Sequence, residues 1–311
     1  MMTTSPDLGL VGAKTGTLVI YFAGLGGSLP QVVPYLAHGR LDLPSGHSLT
    51  ARRYLPVLPP DTEVWLDGKA DGRQAQPPDL LRADQLGLDP KGWPAYVLSR
   101  PYAWFTEYKT GVHSDLDAIG PIPWWCDVAQ TAEVAHAVEF ARRGLAHARR
   151  QGQRVVLFGR SRGSAVALQV YLALAPEEQL MVHLLWLEGA FLDSAHVIET
   201  RFHPRAVADA VAAVLPLVTR WQPSKSRVLS PSSAPTTLVQ VPVLVVGSAA
   251  DTVVTVDNTR DLVDALGKVF DPTHLHYVEL ERSAHSTYAT DDEGDRKRYA
   301  DALRRYGLGQ Q

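Results

Sequence analysis

The residues Gly159-Arg160-Ser161-Arg162-Gly163 stand between an apolar, β-branched run, Arg154 to Phe158, and a helical pattern from Ser164 to Ala175. A G-x-S-x-G pattern alone arises by chance. It gains specificity when a buried strand ends at its first glycine and a helix starts at its second, because the serine then rides a sharp, strained turn above a sheet. The two glycines suit such a turn, which brings their positions into contact. A serine hydroxyl is a weak nucleophile and needs a base, itself oriented by an acid. Downstream, Asp251 falls in the loop after the run Pro242 to Val246, and His285 in the loop after His276 to Leu280. The chain order Ser161, Asp251, His285 is the one this turn geometry demands. The chemistry available to the three is nucleophilic attack on an acyl carbon.

Other residues compete for two of these roles. Glu188 and Asp193 follow the run His183 to Leu187 and could supply the acid in place of Asp251. Of the 11 histidines, His274 and His276 lie in or beside a strand and read as packing or surface residues. His113 with Asp115 and Asp117 reads as a solvated loop before it reads as a metal site. A tetrahedral intermediate also needs donors for its oxyanion. One is the amide after the nucleophile, on Arg162. The Gly-rich turn Ala23-Gly24-Leu25-Gly26-Gly27 can aim others into the site. That turn is not a dinucleotide fingerprint, because the third spaced glycine is missing.

Six short apolar runs must position these loops: Thr17–Phe22, Thr62–Leu66, Arg154–Phe158, His183–Leu187, Pro242–Val246 and His276–Leu280. Most are continuous rather than alternating, as in strands covered on both faces. Helical patterns fall between them, over 127–151, 164–175, 260–269 and 296–306. The first has apolar residues in steps of three and four, a capping-box start at Asp127 and Gln130, and a stop at Gly152. Strands alternating with helices predict a mostly parallel sheet with helices on both faces. Carboxyl-edge loops of such a sheet are where its ligands bind. Residues 1–311 read as one domain with two cap-like insertions. One, 68–126, holds almost no regular pattern. The other, 192–240, holds one helical stretch at about 204–215 and a Ser/Pro-rich run.

These residues resemble the α/β-hydrolase superfamily, from about Thr17 to Tyr306 outside the two insertions. The resemblance implies an α/β-hydrolase fold with Ser161 as nucleophile, Asp251 as acid and His285 as base. It implies that the amides of Leu25 and Arg162 form the oxyanion hole, without a metal or organic cofactor. Many members carry His-Gly before the residue at Leu25, and Ala23-Gly24 stands there instead. The implied activity is a serine hydrolase acting on a small-molecule carboxylic ester or related acyl bond. A thioesterase, peptidase or acyltransferase would use the same triad, and a catalytically silent binding module is the alternative from another class. Serine at the elbow speaks against the dehalogenase and epoxide-hydrolase chemistry that the superfamily runs with aspartate there. Arginines flanking the serine are unusual for the superfamily. They could attract an anion, although buried ion pairs behind the elbow are the expected use.

Residues 93–125 carry eight aromatics, Trp93, Tyr96, Tyr102, Trp104, Phe105, Tyr108, Trp124 and Trp125, far above the 8% of the whole chain. Two readings stand: a cap in which Trp104, Tyr108, Trp124 and Trp125 line a substrate pocket, or the small core that so long an excursion needs. With 45% hydrophobic and 20% charged residues, collagen, coiled coil and wholesale disorder are excluded. A net charge of -3 gives no electrostatic footprint for nucleic acid or an anionic membrane. The single cysteine, Cys126, cannot form an intrachain disulfide. Met1 to Asp7 lack a basic region followed by an apolar run, so a cytoplasmic location is the expectation.

Overall fold

The computed structural model describes residues 16–22, 24, 35, 40–42, 48–50, 63–66, 129–202, 204–218, 221–229, 241–285, 287–306 and 308. Six strands form one sheet: β1 (Thr17–Phe22), β4 (Glu63–Leu66), β5 (Arg154–Arg160), β6 (Val182–Glu188), β7 (Val243–Ser248) and β8 (Leu275–Leu280). Their order is β4-β1-β5-β6-β7-β8, and every neighbouring pair is parallel. A short antiparallel pair, β2 (Arg40–Asp42) with β3 (Ser48–Thr50), stands apart from the sheet.

The continuous apolar runs follow from burial on both faces. Leu18, Ile20, Leu157, Leu185, Val243 and Val245 face one core. Helices α1 (Thr131–Gln151), α2 (Arg162–Ala173) and α6 (Val256–Leu266) cover it, with Phe140, Leu168 and Leu262 among the contributors. Val19, Tyr21, Val156, Phe158, Leu184, Trp186 and Leu244 face the other. There α7 (Glu293–Arg304) packs Tyr299 and Leu303, and Phe158 stacks on Trp186 at 3.8 Å. Successive residues of β1, β5, β6 and β7 thus alternate between two apolar layers. The α/β architecture predicted from the sequence is the one the chain adopts.

Helix α1 departs from its predicted start. Gln130 is the N-cap, but its side chain makes no capping bond. Its amide group instead binds Gln222 twice, donating to the carbonyl and accepting from the amide, each at 2.8 Å. Asp127, the other half of the expected capping box, lies outside the described residues.

The insertion at 68–126 also lies outside them. In the insertion at 192–240, the predicted helix is α5 (Arg205–Val218), preceded by α4 (Ser194–Arg201), and a short Pro176–Gln179 turn of helix, α3, follows α2. Near its start the insertion closes on itself: Asp193 bridges Arg227, and the Val228 amide donates to the Leu192 carbonyl at 2.9 Å. Trp221 is buried there, its indole N–H donating to Ser194 Oγ at 3.0 Å. Among the described residues no helix is long and apolar enough to cross a membrane.

Candidate active site

From β1 the chain crosses to β4 on one side and returns to β5 on the other, so the loops after β1 and β5 diverge at the carboxyl edge. Such a switch point opens a crevice. Ser161 sits in it, between the end of β5 and the start of α2, with φ 53°. A positive φ at a non-glycine residue stores strain of roughly 1–3 kcal/mol and persists only where the surroundings over-determine it. Here they do. The Ser161 amide donates to the Glu188 carbonyl at 2.7 Å, and the Ser161 carbonyl accepts from the Ser164 amide at 2.9 Å and its hydroxyl at 2.6 Å. A Cβ on Gly159 would lie 2.3 Å from the Gly163 carbonyl oxygen, so the turn closes only with glycine at that position.

His285 reaches the serine from the loop after β8, with Nε2 3.0 Å from Ser161 Oγ. Its Nδ1 lies 2.6 Å from Asp251 Oδ2 in the loop after β7. Asp251 is buried. Burial alone would raise its pKa, but His285, the Tyr288 hydroxyl and the Val253 amide outweigh that and hold the carboxyl below its ordinary value. The ionised carboxylate only accepts, so Nδ1 carries the proton and Nε2 presents a lone pair to the serine hydroxyl. The arrangement can take a proton from Ser161 as its oxygen attacks.

The competing acids are engaged elsewhere. Glu188, at the end of β6, is 1% exposed and pairs with Arg160 Nε at 2.8 Å. It also accepts from the Tyr299 hydroxyl at 2.8 Å and from the Tyr35 hydroxyl. The flanking Arg160 thus enters a buried ion pair behind the elbow. Asp193 accepts from the Ala195 amide at 2.8 Å and caps α4. His276 lies on β8 beside the Tyr306 ring.

On the oxyanion side, Arg162 is the first residue of α2, whose dipole favours negative charge at that end. Leu25 lies outside the described residues. Its neighbour Gly24 is described, and a Cβ there would lie 3.2 Å from Ser161 Cβ. Gly24, just beyond β1, therefore lies against the nucleophile. Trp104, Tyr108, Trp124 and Trp125 lie outside the described residues.

Three contributors escaped the sequence reading. Gly189 has φ 57°, and a Cβ there would meet His285 Cε1 at 3.2 Å. Tyr288 donates to Asp251 Oδ2 at 2.5 Å. Asp295, in the first turn of α7, accepts from the amides of Glu281, Arg282 and Ser283 and from the Ser283 hydroxyl, at 2.8–2.9 Å. It holds the loop that carries His285. Tyr288 had one signal, its place three residues after the histidine; Asp295 had a weaker one, the acidic opening of a helix.

No protein-family model and no curated protein sequence matches this chain. Solved structures do. One is RedJ, with a PEG molecule bound in its active site: 13% identity over 93% of this chain and 92% of that one, TM-score 0.44. Another is the esterase Est2 of Thermogutta terrifontis, with propionate bound: 14% identity over 95% of this chain and 82% of that one, TM-score 0.42. A third is an esterase of Pyrobaculum calidifontis: 18% identity over 57% and 62% of the two chains, TM-score 0.41. Likenesses this distant leave the chemistry to be read from the site itself.

Proposed function

We propose that this chain, an α/β-hydrolase by fold, is a serine hydrolase that cleaves a small-molecule carboxylic ester or related acyl bond through an acyl-enzyme. The observation that carries this is the unbroken relay from Ser161 Oγ to His285 Nε2 at 3.0 Å and from His285 Nδ1 to Asp251 at 2.6 Å. His285 takes the serine proton as Oγ attacks the carbonyl carbon. The tetrahedral oxyanion is held by the amides of Arg162 and Leu25 at the switch-point crevice. His285 then returns its proton to the leaving alcohol, and the acyl group stays on Ser161. A water deprotonated by His285 attacks the acyl carbon, and collapse of the second intermediate frees the acid and restores the serine. Asp251 keeps the imidazole in the tautomer that both steps need.

The insertions at 68–126 and 192–240 serve as caps over this edge of the sheet, and Trp104, Tyr108, Trp124 and Trp125 supply an apolar pocket for the acyl or alcohol group. The same triad would serve a thioesterase, peptidase or acyltransferase, and the acyl acceptor separates these. A fluorophosphonate probe should label the protein covalently on Ser161. Ser161→Ala should abolish labelling and lower p-nitrophenyl ester hydrolysis by roughly 10⁴–10⁶-fold in kcat. A folded Ser161→Ala variant that keeps its activity would overturn the mechanism. A wild-type protein that neither labels nor turns over any acyl substrate would favour the silent binding module.

A further inference from the structure

We infer that Tyr288 is a positioning residue for the triad, acting through Asp251 to set the angle and proton affinity of the base. The inference rests on the serine-hydrolase reading of Ser161, His285 and Asp251.

A carboxylate offers about four lone-pair positions. Asp251 fills all four. Oδ1 accepts from the amides of Val253 at 2.8 Å and Val254 at 2.9 Å. Oδ2 accepts from His285 Nδ1 at 2.6 Å and from the Tyr288 hydroxyl at 2.5 Å. The two amides belong to the aspartate's own loop and fix one oxygen. The other is shared between the catalytic imidazole and one phenol, so removing the phenol leaves the imidazole as its only donor among the described residues. Tyr288 is itself fully buried. Burial first, then the negative charge of Asp251, push its hydroxyl well above its ordinary titration range, so it stays a neutral donor wherever the base works. Glu188 and Arg160 act on the same phenol with opposite signs.

Two effects follow from a shared oxygen. The phenol holds the carboxylate plane, and with it the hydrogen bond that points His285 Nε2 at the serine. It also draws charge from Oδ2, which weakens the pull of Asp251 on an imidazolium. Without the phenol, that pull strengthens and the imidazole keeps its proton to higher pH. A residue that merely packed would produce neither signature.

The test is steady-state ester hydrolysis across pH for wild type, Ser161→Ala and Tyr288→Phe, with thermal midpoints measured in parallel. Tyr288→Phe should lower kcat about tenfold, the worth of one hydrogen bond to a charged group, with KM nearly unchanged. The acid limb of its kcat/KM profile should move to higher pH. Global replacement of tyrosine by 3-fluorotyrosine, a stronger donor, should move that limb to lower pH in wild type but not in Tyr288→Phe. The wild-type half of this arm keeps the inference testable if Tyr288→Phe folds poorly, and an acid limb that does not move there overturns it. An inactive Ser161→Ala beside a Tyr288→Phe with unchanged kcat and acid limb overturns the positioning role alone. An active Ser161→Ala overturns the hydrolase reading beneath it.

Discussion

Replacing Asp295 by asparagine isolates the strap on the histidine loop. Asparagine keeps the shape of the side chain and mimics the protonated acid. With its oxygen in the place of Oδ2 it can still accept from Arg282 and from the amide and hydroxyl of Ser283. Each of these bonds loses its charge assistance, worth about 1 kcal/mol apiece from the difference between charged and neutral hydrogen bonds. Its NH₂ group would face the Glu281 amide, donor against donor. Glu281 and Arg282 are exposed, so water relieves part of the loss; Ser283 is fully buried and has no such relief. The expected destabilisation at pH 7 is about 2–3 kcal/mol. It carries a pH signature. Burial opposes the charge of Asp295, but the amides of Glu281, Arg282 and Ser283 and the Ser283 hydroxyl hold its carboxyl below the ordinary aspartate value. A depressed folded-state pKa contributes stability that is fully present above the unfolded value, about 3.9, and is lost as pH falls through the folded one. Denaturant unfolding of wild type and Asp295→Asn at pH 7 and at about pH 3 measures both quantities, and the gap should narrow at the lower pH. A gap equal at both values, or one below about 0.5 kcal/mol at pH 7, would refute the strap.

Four further variants have expected outcomes. Arg160→Met should destabilise by about 3–5 kcal/mol, because Glu188 is left charged and buried. The double variant with Glu188→Gln should recover part of that in denaturant midpoint. Asp251→Asn should lower kcat by about 10³–10⁴-fold through the tautomer of His285. Asp193→Ala should leave kcat intact and remove only a helix cap, about 1 kcal/mol in unfolding free energy.

The strands were legible because burial on both faces leaves an unbroken apolar signature, as in Arg154–Arg160 and Val243–Ser248. Helix starts were harder to read. The run Val253-Val254-Thr255-Val256 looks extended, so α6 was expected to begin at residue 260 and begins at Val256. Its opening follows a local turn in which the amides of Val253 and Val254 donate to Asp251, a side-chain bond that apolar periodicity does not reveal. Glu293-Gly294 masked the start of α7, whose cap is Asp292. Pro216 suggested that α5 stops at Leu215, yet the helix runs on to Val218. Helix α4 has no apolar stripe over Ser194–Arg201 to announce it, and β2 and β3, three residues each, are too short for a period to show. The proposed triad could be named from chain order and loop position alone. What was not named were the groups that hold it: Tyr288 and Asp295 leave only faint signals in the sequence, and their partners appear only in space.

The closed base of the second insertion has a consequence for how the protein can be altered. Leu192 and Val228 lie one hydrogen bond apart, so the stretch between them leaves and returns at neighbouring points, with Gln222 held separately by Gln130. Trp221 and Ser194, which pack and bond to one another, both belong to that stretch and would leave together. A two- or three-residue turn joining the two attachment points would excise α4 and α5 without lengthening any connection to the sheet. The same junction would accept a foreign excursion of another size. Such an exchange would leave β5, β7 and β8 holding Ser161, Asp251 and His285 at their present separations.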